Sequence, residues 1–384
     1  MRINTMKRIS VLLCVFFLWV HQGSAQSNLK LKYRNSNVFA GIEVGSKGVK
    51  FSLIEIGKNA KTSGAFNPLK DSTVNTDFIS FTQPTFDATL DAITGLYQTA
   101  RNVYDIPSKR VFTVISSGVK VQAEKENKND WVSSFIDSFR IRIDDSRRDV
   151  PVIDVTGEAR LSHLGIVPDS RRFTTFLIDI GSGNTKGGYF PYGNTDDFKL
   201  YELTWGTKST ANAAEKASGD DNSLDNFRKQ LNRVLAGVEN NEIIYSINAS
   251  GAYPLSDNVA FSGGISWALA TLMHPEKIDE TVVSVTFDEV VKFSDRLYRQ
   301  YKTVSDSALV SNIKDPLLDK AVIAKNVKTV NKVFDQRSML AGTGLLLKIM
   351  RQFSSIYESK QFFLVKNGQV GWISAYVDET INTD

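Results

Sequence analysis

Hydrophobic and polar positions repeat one design at two places along the chain. Residues 38–56 (VFAGIEVGSKGVKFSLIEI) predict two strands around a glycine turn, because apolar residues enter the turn and alternate after it. Residues 174–190 predict the same arrangement around Gly181-Ser182-Gly183-Asn184. The first strand of each hairpin carries one acid, Glu43 or Asp179, just before the turn. We therefore predict two halves, each built on such a hairpin.

The rest of the chain alternates predicted helices and strands, which indicates an α/β protein. Apolar residues at three- and four-residue spacing predict the helices, at 84–106, 131–139, 221–237, 286–302 and 338–357. Thr286 and Glu289 have the spacing of a capping box. Short apolar runs predict buried strands at 110–116 and 258–262, and Asn367-Gly368 predicts a C-terminal hairpin over 362–377.

The first 25 residues have the three parts of an export signal. A basic start precedes the apolar run 9–20, and Gly23-Ser24-Ala25 places small residues where a signal peptidase cuts. The alternatives are an uncleaved anchor or a buried strand, but the run is short for a hydrocarbon core about 30 Å thick. We expect cleavage after Ala25, a short tether at residues 26–37, and a periplasmic or secreted protein with no stable membrane span.

Removing this segment changes the composition. The segment carries three basic and no acidic residues, so the net charge of +4 falls to +1, and the only cysteine, Cys14, is lost. A chain without thiols suits an oxidising compartment. One Cys and three His leave no four-thiolate or histidine-rich metal site. The weak charge argues against nucleic acid as a partner, and 384 residues suggest about two domains.

The two glycine turns have the chemistry of an anion site. Glycines let backbone N–H groups approach a phosphate closely, both in Gly45-Ser46-Lys47-Gly48 and in Gly181-Ser182-Gly183-Asn184. Hydroxyls of Ser46, Ser182 and Thr185 can add donors, and Lys47, Lys50 and Lys186 can add positive charge. Two ordinary hairpin turns are the alternative, and the repetition argues against it.

The acids beside the turns need a different role, because a carboxylate repels phosphate. Glu43 and Asp179 suit a hydrated Mg²⁺ that bridges to phosphate oxygens. A third element, Gly263-Gly264 after the strand 258–262, is either a plain strand-to-helix turn or a further backbone site for a nucleotide or phosphate chain.

These residues resemble the superfamily of sugar kinases, heat-shock chaperone ATPases and actin. Within it, residues 152–189 are most similar to the exopolyphosphatase and guanosine pentaphosphate phosphatase (Ppx/GppA) family. The likeness is carried by Thr156-Gly157-Glu158-Ala159-Arg160-Leu161, then Leu164-Gly165-Ile166, then Asp179-Ile180-Gly181-Ser182-Gly183-Asn184-Thr185. It is close there and loose over the rest of residues 38–377.

The resemblance implies two ribonuclease H-like (actin-like ATPase) domains, 38–157 and 158–384, with substrate in the cleft between them. It implies that Glu158 is the base that activates water and that Mg²⁺ assists. Phosphate would be bound by the two turns and Gly263-Gly264. The implied substrate is polyphosphate or a nucleoside polyphosphate, and a homodimer is one assembly open to the chain.

Three departures from the family pattern leave other functions open. Glu43 stands where the family has Asp, the Gly-x-Glu-Glu step is shortened to Gly157-Glu158, and Lys186 replaces an acid. A cation at that position strengthens anion binding and weakens metal-assisted hydrolysis. The leading hypothesis is an exported phosphohydrolase. The alternatives are a non-catalytic polyphosphate-binding or sensing module, and a sugar-type kinase suggested by Thr185-Lys186.

Overall fold

The computed structural model describes residues 29–46, 48–57, 66–251, 256–354, 360–366, 368 and 371–381. The predicted signal segment 1–25, the first residues of the tether and Lys47 lie outside them. Within the described part of the chain, no helix combines the length and the apolar character that crossing a bilayer requires.

Two mixed β-sheets organise the chain. The strands of the first sheet are β1 (Asn37–Gly45), β2 (Gly48–Ile56), β3 (Phe66–Asn75) and β4 (Val111–Ile115). The strands of the second are β5 (Thr175–Ile180), β6 (Thr185–Tyr189), β7 (Lys199–Leu203), β8 (Asn258–Ser262), β9 (Val282–Val285) and β10 (Gln361–Val365).

The two sheets repeat one topology. Their orders are β3-β2-β1-β4 and β7-β6-β5-β8-β10-β9. In each, an antiparallel hairpin (β1–β2 or β5–β6) is flanked by a parallel strand on one side and an antiparallel strand on the other. The structure confirms both predicted hairpins, because near-complete burial of the apolar residues fixes their register.

Helices cover the sheets. In the first half they are α1 (Gln83–Gln98), α2 (Ser117–Lys125), α3 (Asn129–Arg142) and α4 (Val155–Ile166). In the second half they are α5 (Thr207–Ser218), α6 (Leu224–Val238), α7 (Ile244–Ser250), α8 (Gly264–Met273), α9 (Phe287–Arg299), α10 (Asp306–Ser311), α11 (Lys320–Val333), α12 (Gln336–Ser354) and α13 (Gly371–Ile381).

The predicted helices are confirmed with shifted ends. The first ends as an α-helix at Gln98 and continues as a π-turn over Thr99–Val103, short of the predicted residue 106. The capping box of α9 is present, since the Thr286 hydroxyl accepts from the Glu289 N–H at 3.2 Å and the Glu289 carboxylate accepts from the Thr286 N–H at 2.7 Å.

The predicted C-terminal hairpin is wrong. Its first strand exists as β10, but the predicted second strand is helix α13; Asn367 lies outside the described residues. Trp372, Ile373 and Val377 are buried because the helix packs in a groove between α4 and the first sheet. A segment buried on several sides carries no clear periodicity, so its pattern did not separate helix from strand.

Each sheet has its own hydrophobic core, and a third cluster lies on the other face of the first sheet. Phe135 and Phe139 fill the core of the first sheet, and Phe176 and Phe261 that of the second. Burial of each such side chain stabilises the fold by about 1.5–3 kcal/mol. The third cluster packs α13 against α4 and the first sheet. The end of the chain therefore contacts the first half, whereas the division at residues 157/158 stays a prediction.

Candidate active site

A cavity of about 1040 Å³ lies between the two sheets. Lys50 of β2 lines it from the first sheet, and Asp179 of β5 lines it from the second. Helix α4 adds Glu158. The cavity therefore brings the predicted base and one of the two predicted metal ligands to the same space.

Helix α4 fixes the position of Glu158. The Asp154 carboxylate caps the helix by accepting from the Gly157 N–H at 2.6 Å, so Glu158 lies in the first turn. One carboxylate oxygen of Glu158 accepts from the Ser117 N–H at 3.1 Å, and the other accepts from the Lys186 ammonium at 2.5 Å. The Glu158 side chain is only 7% exposed.

These partners keep Glu158 ionised. Burial by itself raises the pKa of the Glu158 carboxyl, but the Lys186 ammonium and the hydrogen bonds from Lys186 and Ser117 hold the pKa below its ordinary value. Ser117 is the first residue of α2, where the helix dipole also favours a negative charge. Each carboxylate oxygen has a second lone pair, so Glu158 can still accept a bond from water.

Asp179 lies across the hairpin from Lys186. The two residues pair in register on β5 and β6. The Ser262 hydroxyl donates to Asp179 Oδ1 at 3.0 Å. Burial raises the pKa of Asp179, and the negative charge of Glu158 raises it further, whereas Lys186 and the Ser262 hydrogen bond oppose the rise. Asp179 is therefore protonated more readily than a solvent-exposed aspartate.

Glu43, on β1 of the first sheet, is tied to two neighbours. Its carboxylate oxygens accept from the Lys50 ammonium at 3.2 and 3.4 Å. Oε2 also accepts from the indole N–H of Trp372 at 3.2 Å. Because the attraction of Glu43 outweighs the cost of burial, the pKa of Lys50 lies above its ordinary value. Glu43 does not itself line the cavity.

The second glycine turn contributes two of its predicted residues to the cavity wall. Gly181 and Ser182 line the cavity, whereas Gly183 and Asn184 do not. Thr185 is buried, and its hydroxyl donates to the Trp205 carbonyl at 2.7 Å. That hydroxyl is already used within the fold, so the predicted phosphate role of Thr185 gains no support from its geometry.

The described part of the first glycine turn does not line the cavity. Gly45 and Ser46 are not among the described residues that line it, and Lys47 lies outside the described residues. Their assignment to phosphate binding stays a prediction. Among the described residues of this hairpin, Lys50, four residues after Ser46, is the one that lines the cavity.

The third glycine element lines the cavity beside Asp179. Gly263 has a φ of +91°, and a Cβ there would lie 2.3 Å from the Ile180 carbonyl oxygen and 2.8 Å from Asp179 Oδ1. Only glycine permits both this backbone conformation and this close approach. Gly264 follows as the first residue of α8, so the strand-to-helix turn places backbone on the cavity wall.

The acids do not form the magnesium site that the family resemblance implies. Glu43 is bonded to a lysine, Glu158 is bonded to another, and Asp179 has that second lysine opposite it. Among the described residues, no three His, Cys, Asp or Glu side chains come together in a way that could hold a metal ion. Mg²⁺ needs carboxylates that are open to it, whereas ammonium groups bond Glu43 and Glu158, and Asp179 is a single buried carboxylate that accepts from the Ser262 hydroxyl.

Two contributors to the site were not predicted. Ser117 acts through its backbone N–H, which carries no signal in a sequence. Trp372 belongs to the segment predicted as a strand, and its indole reaches Glu43 from the far end of the chain. Arg160, which follows Glu158 in the same motif, forms an ion pair with Glu379 of α13 at 3.1 Å.

Comparison with known proteins identifies the fold. No family model matches the sequence, and no curated protein matches it. A Ppx/GppA family member from Aquifex aeolicus aligns over 91% of this chain and 99% of its own, at 14% identity and a TM-score of 0.59. An exopolyphosphatase from Cytophaga hutchinsonii aligns over 89% of this chain and 98% of its own, at 13% identity and a TM-score of 0.51. The likeness confirms the predicted fold class: two mixed sheets flanked by helices, as in these structures.

Proposed function

We propose that this protein, which has the fold of the Ppx/GppA structures, binds a phosphoanhydride chain in the cleft and hydrolyses its terminal bond. The observation that carries the proposal is the position of Glu158, an ionised carboxylate held on the cavity wall near Asp179 and Gly263. The substrate class is polyphosphate or a nucleoside polyphosphate. We further propose that residues 1–25 direct the protein out of the cytoplasm.

In the proposed reaction, the chain's own residues orient a water molecule, accept its proton and bind the phosphate. A water oxygen forms a new bond to the terminal phosphorus, the bridging P–O bond breaks, and the shortened chain leaves with the electron pair. Glu158 orients the water and takes its proton. The transition state of such a reaction is loose, so orientation matters more than basicity and the lowered pKa of Glu158 is tolerable. The Gly263 backbone N–H and the Ser182 hydroxyl, both on the cavity wall, are the proposed donors to phosphate oxygens, because the Gly181 N–H already donates to the Asn184 carbonyl at 2.9 Å.

The test is phosphate release by the purified protein from polyphosphate, nucleoside triphosphates and a simple monoester. We expect Glu158→Gln to abolish release and to leave binding intact, because the amide keeps the shape but takes no proton. Glu124→Gln, at an exposed position on α2, is the matched control and should retain full activity. Turnover by Glu158→Gln at the rate of the unmodified protein would refute the role of Glu158.

A second function has one specific observation in its favour. The Lys186 ammonium lies 2.5 Å from Glu158, where the family pattern would place an acid. A base that is permanently paired with a cation suits a binding or sensing module that does not turn over its ligand. Saturable polyphosphate binding without phosphate release, in a protein whose Glu158→Gln variant binds equally well, would select this function over hydrolysis.

A further inference from the structure

The two hairpins repeat a pair of opposite charges as well as a glycine turn. Glu43 on β1 pairs in register with Lys50 on β2. Asp179 on β5 pairs in register with Lys186 on β6. Each lysine therefore lies across the hairpin from an acid that the family resemblance assigns to a metal. A repeated cross-strand pair places one cation beside each half of the cleft.

Lys50 extends from its acid into the cavity. Two of its bonds go to the Glu43 carboxylate, and an ammonium group has three donors. Its side chain is 45% exposed and lines the cavity, so the remaining donor can reach a ligand there. The Trp372 indole N–H donates to Glu43 and so fixes the position of the carboxylate that bonds Lys50.

Lys186 takes a different partner. Its ammonium bonds Glu158 at 2.5 Å and lies 3.5 Å from the Ser117 hydroxyl. Only 13% of its side chain is exposed, so the charge is held in one position. Lys186 does not itself line the cavity, so this second fixed cation reaches the wall through Glu158, the carboxylate proposed to orient water.

A divalent cation competes poorly for Glu43 and Glu158, each of which is bonded to an ammonium group. Mg²⁺ binds through open carboxylate oxygens, and an ammonium already bonded to the same carboxylate repels the ion. The same ammonium groups are good ligands for phosphate oxygens, as a point charge with several donors. The chain thus carries cations where a metal-dependent site has to leave acids open.

We infer that Lys50 and Lys186 supply the positive charge for phosphate in this cleft, which therefore binds a phosphoanhydride chain without a divalent metal ion. The inference rests on the proposed function, since it assumes that phosphate binds in this cavity. It makes Lys50 and Lys186 the residues that set the affinity for the anion.

The experiment is calorimetric titration of the full-length protein with short inorganic polyphosphate, in EDTA and in Mg²⁺. We expect saturable binding in EDTA with an affinity within about threefold of that in Mg²⁺, which is a small difference in binding free energy. Binding that needs Mg²⁺ would overturn the inference and keep the proposed function. Failure to bind under both conditions would overturn both.

Substitutions of the two lysines test whether they supply the positive charge that binds polyphosphate. Lys50→Met and Lys186→Met should each weaken binding in EDTA by roughly tenfold to a hundredfold, the effect of losing a hydrogen bond to a charged group. Lys292→Met, at an exposed position of α9 outside the cavity wall, should leave the affinity unchanged. Equal affinity in all three variants would overturn the inference. Because Lys186→Met leaves Glu158 buried and unpaired, Lys186→Met/Glu158→Gln serves as the second variant should the first fail to fold.

Titration with Mg²⁺ alone measures the affinity of the cleft for the metal ion in the absence of substrate. The unmodified protein should bind no Mg²⁺ in the range where Lys186→Glu does, because that variant places a third carboxylate beside Glu158 and Asp179. Tight saturable Mg²⁺ binding by the unmodified protein would overturn the inference.

Discussion

The stability of this protein should fall steeply below pH 6.5 because of His163. The ring is fully buried on α4, and its Nε2 lies 2.9 Å from the Thr175 carbonyl oxygen of β5. Burial, aided by the nearby Arg172 charge, lowers its pKa from 6.5 to about 4. The ring therefore lies between the helix that carries Glu158 and the strand that carries Asp179.

The sign and size follow from proton linkage. Between pH 6.5 and about 4 the unfolded chain binds a proton at His163 that the folded chain excludes, so stability falls as the pH falls. The contribution is complete above pH 6.5 and is lost by about pH 4. At about 1.4 kcal/mol per pH unit, the total over this interval is on the order of 3 kcal/mol, a large share of the stability of an ordinary domain.

Urea unfolding between pH 7.5 and 4.5 measures this contribution. His163→Gln removes the titrating ring, so its stability should depend less on pH than that of the unmodified protein, by about 1.4 kcal/mol per pH unit. His274→Gln, on a histidine that contacts Glu276, is the control for general effects of losing a histidine. Identical pH slopes for the unmodified protein and His163→Gln would refute the assignment.

Two further predictions concern how α13 is held. Gly165→Ala should destabilise the fold by roughly 1–3 kcal/mol, since its Cβ would lie 1.9 Å from the Gly371 carbonyl oxygen. Gly237→Ala in α6 is the control, because its Cβ meets no atom within 4 Å, and it should raise the free energy of unfolding by up to about 1 kcal/mol. Equal urea midpoints for the two variants would contradict the close contact between Gly165 and Gly371. Trp372→Phe removes the indole bond to Glu43 and should cost about 1–3 kcal/mol, measured by the same unfolding; no loss would show that the bond does not stabilise the fold.

The sequence by itself determined what depends on neighbours along the chain. The hairpins at 38–56 and 174–190 follow from alternation and glycine turns, and the capping box of α9 follows from Thr286 and Glu289. The role of Glu158 as the base, which the family resemblance over residues 152–189 implies, stays a prediction. Local patterns carry these features because backbone conformation and side-chain spacing are set within a few residues.

Only the tertiary structure decided which charges meet. Glu158, Ser117 and Lys186 come from three separate elements, and Trp372 reaches Glu43 across most of the chain. Such contacts depend on how helices pack against sheets, which no local pattern records. The segment that forms α13 was predicted as a strand for the same reason, since its burial on several sides leaves no helical periodicity in the sequence. The sequence therefore predicted a phosphate cleft with metal-binding acids, whereas packing bonded lysines to Glu43, one of those acids, and to Glu158, the predicted base.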